Sequence, residues 1–237
     1  MENAKNLLYN GASELGITLS DKNIDDFTTY YNMLIDWNEK INLTAITKPE
    51  EVAVKHFVDS LTLLKYVDIK PNSTLIDVGT GAGFPSIPLG IIRKDIKITL
   101  LDSLKKRLIF LKEVSDALGI NCNIVHARAE QAGVNPDYRE KFDIATSRAV
   151  ASLNVLSEYC LPLVSVGGIF IAMKGLNIKD EIDNSFNAIQ TLGGKIKSVS
   201  EFNLIDKSTR NIVVINKISK TVDKYPRQGV KISKKPL

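Results

Sequence analysis

Apolar residues between positions 1 and 66 recur at helical intervals: Ile24, Phe27, Tyr31, Leu34 and Ile35 share one face, and Ser20 stands where an N-cap belongs. A further helix is predicted from Pro49, because proline followed by Glu50 and Glu51 suits a first helical turn, and Val54, Phe57, Leu61 and Leu64 continue its apolar stripe. After Pro71-Asn72-Ser73 the pattern changes to short β-rich runs alternating with helical segments, the signature of a parallel sheet. Strands are predicted at Thr74 to Val78, Ile96 to Leu101, Cys122 to His126, Phe142 to Thr146 and Gly168 to Met173. The intervening helix that presents Leu104, Leu108, Leu111 and Leu118 has Ser103 available to cap its start and Gly119 to end it, and others are expected near Ser152 to Leu163 and Ile178 to Leu192. Two last strands, Lys195 to Leu204 and Arg210 to Ile218, are separated by a turn too short for a helical crossover, so they must be antiparallel. The chain thus divides into a helical extension (1–66), a sheet domain (67–218) and a C-terminal tail (219–237).

Composition adds little except in the tail. Its 237 residues, 44% hydrophobic and 24% charged, suffice for a full-sized core. The first residues lack the basic start and apolar run of a secretory signal, and no run nears the roughly 18 apolar residues of a membrane span, so a soluble cytoplasmic protein is expected. Cys122, Cys160, His56 and His126 show no metal-ligand spacing, and Cys160 lies in an apolar run that suits a core residue better than a nucleophile. From Lys217 onward there are seven basic residues and one acid, against 24 basic and 26 acidic residues in the remainder. A polyanionic partner near the C-terminus and a solvated, frayed end both fit this excess.

The chemistry concentrates in DVGTGAGFP, Asp77 to Pro85, directly after the first predicted strand. Glycines 79, 81 and 83 allow a tight turn that a ligand can approach closely, and 19 residues past Gly83 the second strand ends at Asp102, whose carboxylate can accept from both ribose hydroxyls. That order reads as an adenosine site. A nicotinamide dinucleotide is the alternative, but the glycines are spaced G-x-G-x-G rather than G-x-G-x-x-G, and Pro85 removes an amide that a pyrophosphate would need. S-adenosylmethionine, which has no phosphate, fits better.

Six segments in order, Asn42-Leu43-Thr44-Ala45-Ile46, His56 to Leu61, DVGTGAGFPS, Asp102-Ser103, Arg128-Ala129-Glu130 and Ser147-Arg148-Ala149-Val150, closely resemble the bacterial small-subunit ribosomal RNA methyltransferase G family, also called the glucose-inhibited division protein B family. The resemblance spans roughly Leu7 to Leu237. It implies a Rossmann-like class I α/β fold, with a mostly parallel seven-stranded sheet, an antiparallel last strand and an N-terminal helical extension. It also implies methyl transfer from S-adenosylmethionine to N7 of a guanine in 16S ribosomal RNA, within the small ribosomal subunit. By the same resemblance Gly79, Gly81 and Phe84 lie against the cofactor, Asp102 and Ser103 at its ribose, Ala129 and Glu130 at its adenine, and Arg148 faces the cofactor or substrate.

For several of these residues a structural role competes: Phe84 as helix-start packing, Asp102 as a helix cap, Glu130 as a first-turn acid, and His56 as the i, i+3 partner of Asp59. His56, Lys224 and Arg227 are the candidate substrate contacts, although Gln228-Gly229-Val230 departs from the family pattern after Arg227. No residue is expected to act as a proton-transfer catalyst, since guanine N7 has a free lone pair and no proton. Segment 147–150 stands where amino-group methyltransferases carry Asn/Asp-Pro-Pro-aromatic. A monomer that binds neither metal nor membrane completes the expectation. A fold-retaining RNA-binding factor without turnover is the rival from outside enzymology.

Overall fold

The computed structural model describes residues 1–148, 151–176 and 178–237. Seven strands form one sheet in the order β3-β2-β1-β4-β5-β7-β6: β1 (Thr74–Val78), β2 (Lys97–Asp102), β3 (Cys122–His126), β4 (Phe142–Arg148), β5 (Val164–Lys174), β6 (Gly194–Asn203) and β7 (Thr209–Lys217). β1 to β5 pair in parallel, while β7 runs antiparallel to both β5 and β6, the second of these pairings being the one the short turn after Asn203 requires.

Alternation along the strands supplies both faces of the sheet. Leu75, Leu100, Ile144, Ile171 and Ile212 enter one apolar layer, and their neighbours Ile76, Leu101, Ala145, Ala172 and Val213 enter the other. The first layer is covered by α1 (Glu2–Glu14), α2 (Asp21–Asn38), α6 (Ser86–Ile92) and α7 (Lys105–Ala117). The second is covered by α8 (Ala129–Val134), α9 (Leu153–Cys160) and α10 (Ile178–Thr191). Cys160 lies fully buried in this second layer, and burial pushes its thiol well above the ordinary range.

Ser20 caps α2 in a reciprocal capping box with Asn23. Pro49 does occupy a first helical position, opening α3 (Pro49–Val52), but the helix widens into a π-helical turn over Ala53–Val58 before α4 (Asp59–Leu61) and α5 (Leu63–Tyr66). Apolar spacing cannot announce such a turn, which keeps the same residues and changes only the hydrogen-bond step.

A second departure concerns α7: Ser103 makes no cap. The Leu104 amide donates instead to Asp102 Oδ1 at 2.8 Å, because a carboxylate two residues back reaches it first.

The C-terminal segment is folded onto the domain rather than frayed. Arg139 donates to the carbonyls of Gly133 and Tyr225 at 2.8 Å and of Thr221 at 2.7 Å. Lys217, buried beneath, donates to the Leu161 carbonyl at 2.8 Å, and burial lowers its ammonium to about 8. Arg227 embraces Glu158, which is 0% exposed, through Nε at 2.9 Å and Nη2 at 2.7 Å. α11 (Gly229–Lys234) follows, seating Ile232 in the interior.

Candidate active site

At the carboxyl ends of β1, β2 and β4 a cavity of about 510 Å³ opens. Gly79, Gly81, Phe84, Asp102, Ser103, Ala129, Glu130 and Arg148 all line it, as does His56. Lys224 and Arg227 do not line it. Lys224 is exposed, its ammonium 5.2 Å from the Tyr225 ring, and the guanidinium of Arg227 is turned inward onto Glu158.

The glycine turn is tied to the second strand. Amides of Gly79 and Thr80 donate to the Leu101 carbonyl at 2.9 and 3.2 Å, and the Gly81 amide donates to Asp102 Oδ2 at 3.0 Å. Gly81 has φ +61° and almost nothing near its missing side chain, so it gives both the left-handed turn and room for a ligand. Gly83 serves a different end: a Cβ there would lie 2.6 Å from Ile87 and 2.9 Å from the Tyr30 hydroxyl, so its task is close packing beneath the turn. Tyr30 of α2 donates from below to the Ala82 carbonyl, anchoring the N-terminal helices to the turn. Under it Asp77 is fully buried and accepts from Thr80 Oγ1 at 2.9 Å; burial raises its carboxyl to about 7.

Asp102 thus joins the glycine turn to the start of α7, one oxygen to each, and Arg107 Nη1 stands 3.4 Å from Oδ2. Arg107 takes the second acceptor position of Oδ2, while Oδ1 can accept one more hydrogen bond, so the structural and ligand-binding tasks are compatible.

Across the cavity Arg148, the last residue of β4, reaches into the π-helical turn. Nη1 donates to Asp59 Oδ2 at 3.0 Å and to the Lys55 carbonyl at 3.2 Å, Nη2 lies 3.1 Å from His56 Nδ1, and the guanidinium sits 4.7 Å from the Phe84 ring centre. Phe84 is also stacked on His56 at 4.4 Å and joins the apolar layer with Phe57 and Tyr30, so it both packs and lines the cavity. His56 and Asp59 do not pair with each other: Arg148 bridges them. Arg210 of β7 supplies the second cation for Asp59, at 3.2 Å. Burial pushes the Asp59 carboxyl up, and the two arginines oppose that shift.

His56 Nδ1 lies 3.1 Å from both Arg148 Nη2 and the Lys55 carbonyl: in one tautomer Nδ1 accepts from the guanidinium and Nε2–H faces Thr44 Oγ1 at 2.9 Å, and in the other Nδ1–H donates to the Lys55 carbonyl and Nε2 accepts from the Thr44 hydroxyl. Desolvation, followed by the charge of Arg148, lowers His56 to about 3. The ring is neutral throughout the physiological range. Tyr30, Thr44, Arg107 and Arg210 were not singled out by residue type; only Thr44 belongs to a recognisable segment, and nothing in local spacing marks the others.

Among the described residues no cluster of three or more His, Cys, Asp or Glu side chains is placed to share a metal ion, and no helix is long and apolar enough to cross a membrane.

The strand order, the reversed β7 and the cavity over the first glycine turn define the class I methyltransferase fold. Solved structures agree at the level of the fold. A SAM-dependent O-methyltransferase of Thermotoga maritima matches with TM-score 0.53 and 15% identity, covering 80% of this chain and 72% of its own. A precorrin-6y C5,15-methyltransferase of Geobacter metallireducens matches with TM-score 0.52 and 16% identity, covering 75% of this chain and 92% of its own. Closer relatives narrow the class: the chain is 53% identical over 235 residues to the ribosomal RNA small subunit methyltransferase G of Acetivibrio thermocellus, covering 98% of this chain and 96% of that one. It is 48% identical to the protein of the same name in Bacillus subtilis, covering 96% of each. The family model for rRNA small subunit methyltransferase G matches residues 23–213, and the chain belongs to that family.

Proposed function

We propose that this protein transfers a methyl group from S-adenosylmethionine to N7 of one guanine in 16S ribosomal RNA, acting on the small ribosomal subunit in the cytoplasm. The observation that carries the reading is a cavity that Gly79, Gly81, Asp102 and Arg148 bound together, joined to membership of a family of ribosomal RNA methyltransferases. S-adenosylmethionine, when bound, supplies an electrophilic methyl group on a sulfonium centre.

The residues fit such a group. Asp102 Oδ1 has acceptor capacity left for a ribose hydroxyl, and the Gly81 backbone leaves room for close approach. Ala129 and Glu130, at the start of α8, stand on the adenine side. At the opposite end Phe84, His56 and Arg148 form a rigid wall, because each is held by the other two.

Guanine N7 attacks with an available lone pair, so no proton has to be removed. In keeping with this, His56 is neutral and engaged at both nitrogens, and the Asp77 carboxyl is sealed below the turn. Rate then comes from alignment, which is worth up to roughly 7–11 kcal/mol when the reacting atoms are held in line. Arg148 is a positioning residue in this scheme. We read residues 1–66 as an extension that braces the glycine turn through Tyr30, and the exposed Lys224, Lys231, Lys234 and Lys235 as phosphate contacts.

The test is nucleoside analysis of 16S ribosomal RNA labelled by the purified protein from radioactive S-adenosylmethionine. Radioactivity recovered as 7-methylguanosine supports the proposal. Radioactivity in another nucleoside contradicts it.

A further inference from the structure

Beyond the Arg148–His56 pair lies a second cavity of about 310 Å³, reached over the ends of β4, β5 and β7. Its apolar walls come from Ile46, Met173, Phe202 and Ile212, and the Phe202 ring is held flat against Tyr66 at 4.3 Å and 14°. Among the described residues only four side-chain polar atoms are buried with no hydrogen-bond partner, and two of them, Asp59 Oδ1 and Asn211 Oδ1, belong to this one cavity.

Both are acceptors. The Asn211 amide cannot be turned to offer its nitrogen, because Nδ2 already donates to the Gly175 carbonyl at 2.8 Å. Asp59 Oδ1 has Arg210 Nε at 3.2 Å as an ion-pair contact without hydrogen-bond alignment. Buried, unpaired acceptors on two residues that line one cavity call for a ligand that donates. The walls ask for a flat, apolar ring. Lys55 and Arg210 at the same cavity suit an attached phosphodiester.

We propose that the second cavity receives the target guanine itself, with Asp59 accepting a hydrogen bond from N1–H and Asn211 one from the N2–H₂ group of its Watson–Crick edge. This rests on the methylation reading above and names its specificity site. Guanine presents N1–H and N2–H₂ together, whereas adenine, cytosine and uracil cannot place two adjacent donor groups in that way. With that edge held by Asn211 and Asp59, N7 lies on the far side of the ring, toward Arg148 and the first cavity. The order of the sites along the sheet agrees: the ribose carboxylate is on β2, the dividing arginine on β4, and the reading amide on β7, so the methyl donor and the base approach from opposite sides of Arg148.

The experiment uses the full-length protein and small ribosomal subunits rebuilt with either guanosine or inosine at the nucleotide found to be methylated. Inosine keeps N7 and N1–H and lacks only the exocyclic amine. The wild type is expected to methylate guanosine roughly ten- to a hundred-fold better in kcat/KM, the penalty for leaving a buried acceptor unpaired. Asn211→Leu should lose most of this preference while binding S-adenosylmethionine with wild-type affinity, since Asn211 lines no part of the first cavity. Equal rates on the two substrates by the wild type overturn the proposal without any variant. A full guanosine preference in a cofactor-binding Asn211→Leu protein overturns the role of Asn211. Label on an atom other than guanine N7 overturns the methylation reading as well, which separates the two failures.

Discussion

Replacing Arg148 by methionine, which keeps its apolar stem and removes its charge, isolates the bridge at the centre of the site. In the native protein Asp59 is 4% exposed and neutralised by Arg148 at 3.0 Å and Arg210 at 3.2 Å. Breaking a buried ion pair from one side costs about 3–5 kcal/mol, and because Arg210 remains, the lower end applies here. Loss of the contact over Phe84 adds about 1 kcal/mol, which the methionine stem partly restores. A net loss of about 3 kcal/mol corresponds to a fall in Tm of about 6–12 °C for a chain of this size.

The assay is thermal unfolding of Arg148→Met without cofactor, beside the double variant Arg148→Met/Asp59→Asn. The double variant should recover much of the loss, because the buried charge that lost its partner is gone. The same single variant should raise the pKa of His56 from about 3 toward the ordinary 6.5, although desolvation, the larger cause, persists. An unchanged Tm in the single variant, or a double variant no more stable than the single, refutes the reasoning.

Other expectations follow from the same geometry. Asp77, raised to about 7 by burial, binds a proton more tightly in the folded than in the unfolded chain, so its contribution is fully present below the unfolded value near 3.8 and is lost as pH rises through 7; Asp77→Asn should therefore flatten the Tm–pH curve over that window, by up to about 4 kcal/mol. His56 has the opposite sense, being a base depressed to about 3: the folded state loses stability as pH falls from 6.5 toward 3, and ring-proton titration by NMR should find it neutral at pH 5. Arg227→Met should lower Tm through the unpaired Glu158, with most of the loss recovered in Arg227→Met/Glu158→Gln. Removing Lys231, Lys234 and Lys235 singly should reduce the salt slope of RNA binding by up to about 0.7 each, and no change in slope would remove the tail from the RNA interface.

Much of this architecture is written in local sequence signals. Strands and helices of the sheet domain follow from apolar alternation and spacing, and the antiparallel β7 follows from the length of one turn. Gly79, Gly81 and Asp102 are recognisable because a tight turn and a terminal acid must sit at fixed places along a strand-turn-helix-strand run. Contacts between distant segments leave no such trace. Nothing near position 30 says that a tyrosine will hold the Ala82 carbonyl, and nothing near 211 says that an asparagine will face a cavity shared with His56. The helix from Pro49 reads as regular because a π-helical turn preserves apolar composition. The tail reads as a simple basic run because Glu158, the partner of Arg227, is 69 residues away. The motif at 147–150 falls partly on residues 149 and 150, outside the described residues, so only Ser147 and Arg148 of it enter the geometry.

The central claim is tested most directly by incubating the protein with radiolabelled S-adenosylmethionine and small ribosomal subunits from cells lacking the enzyme, then cleaving the RNA selectively at N7-methylguanine. Cleavage at one guanine, coincident with the label, is the predicted result. Labelled RNA that resists this cleavage, or no label despite cofactor binding, would contradict it.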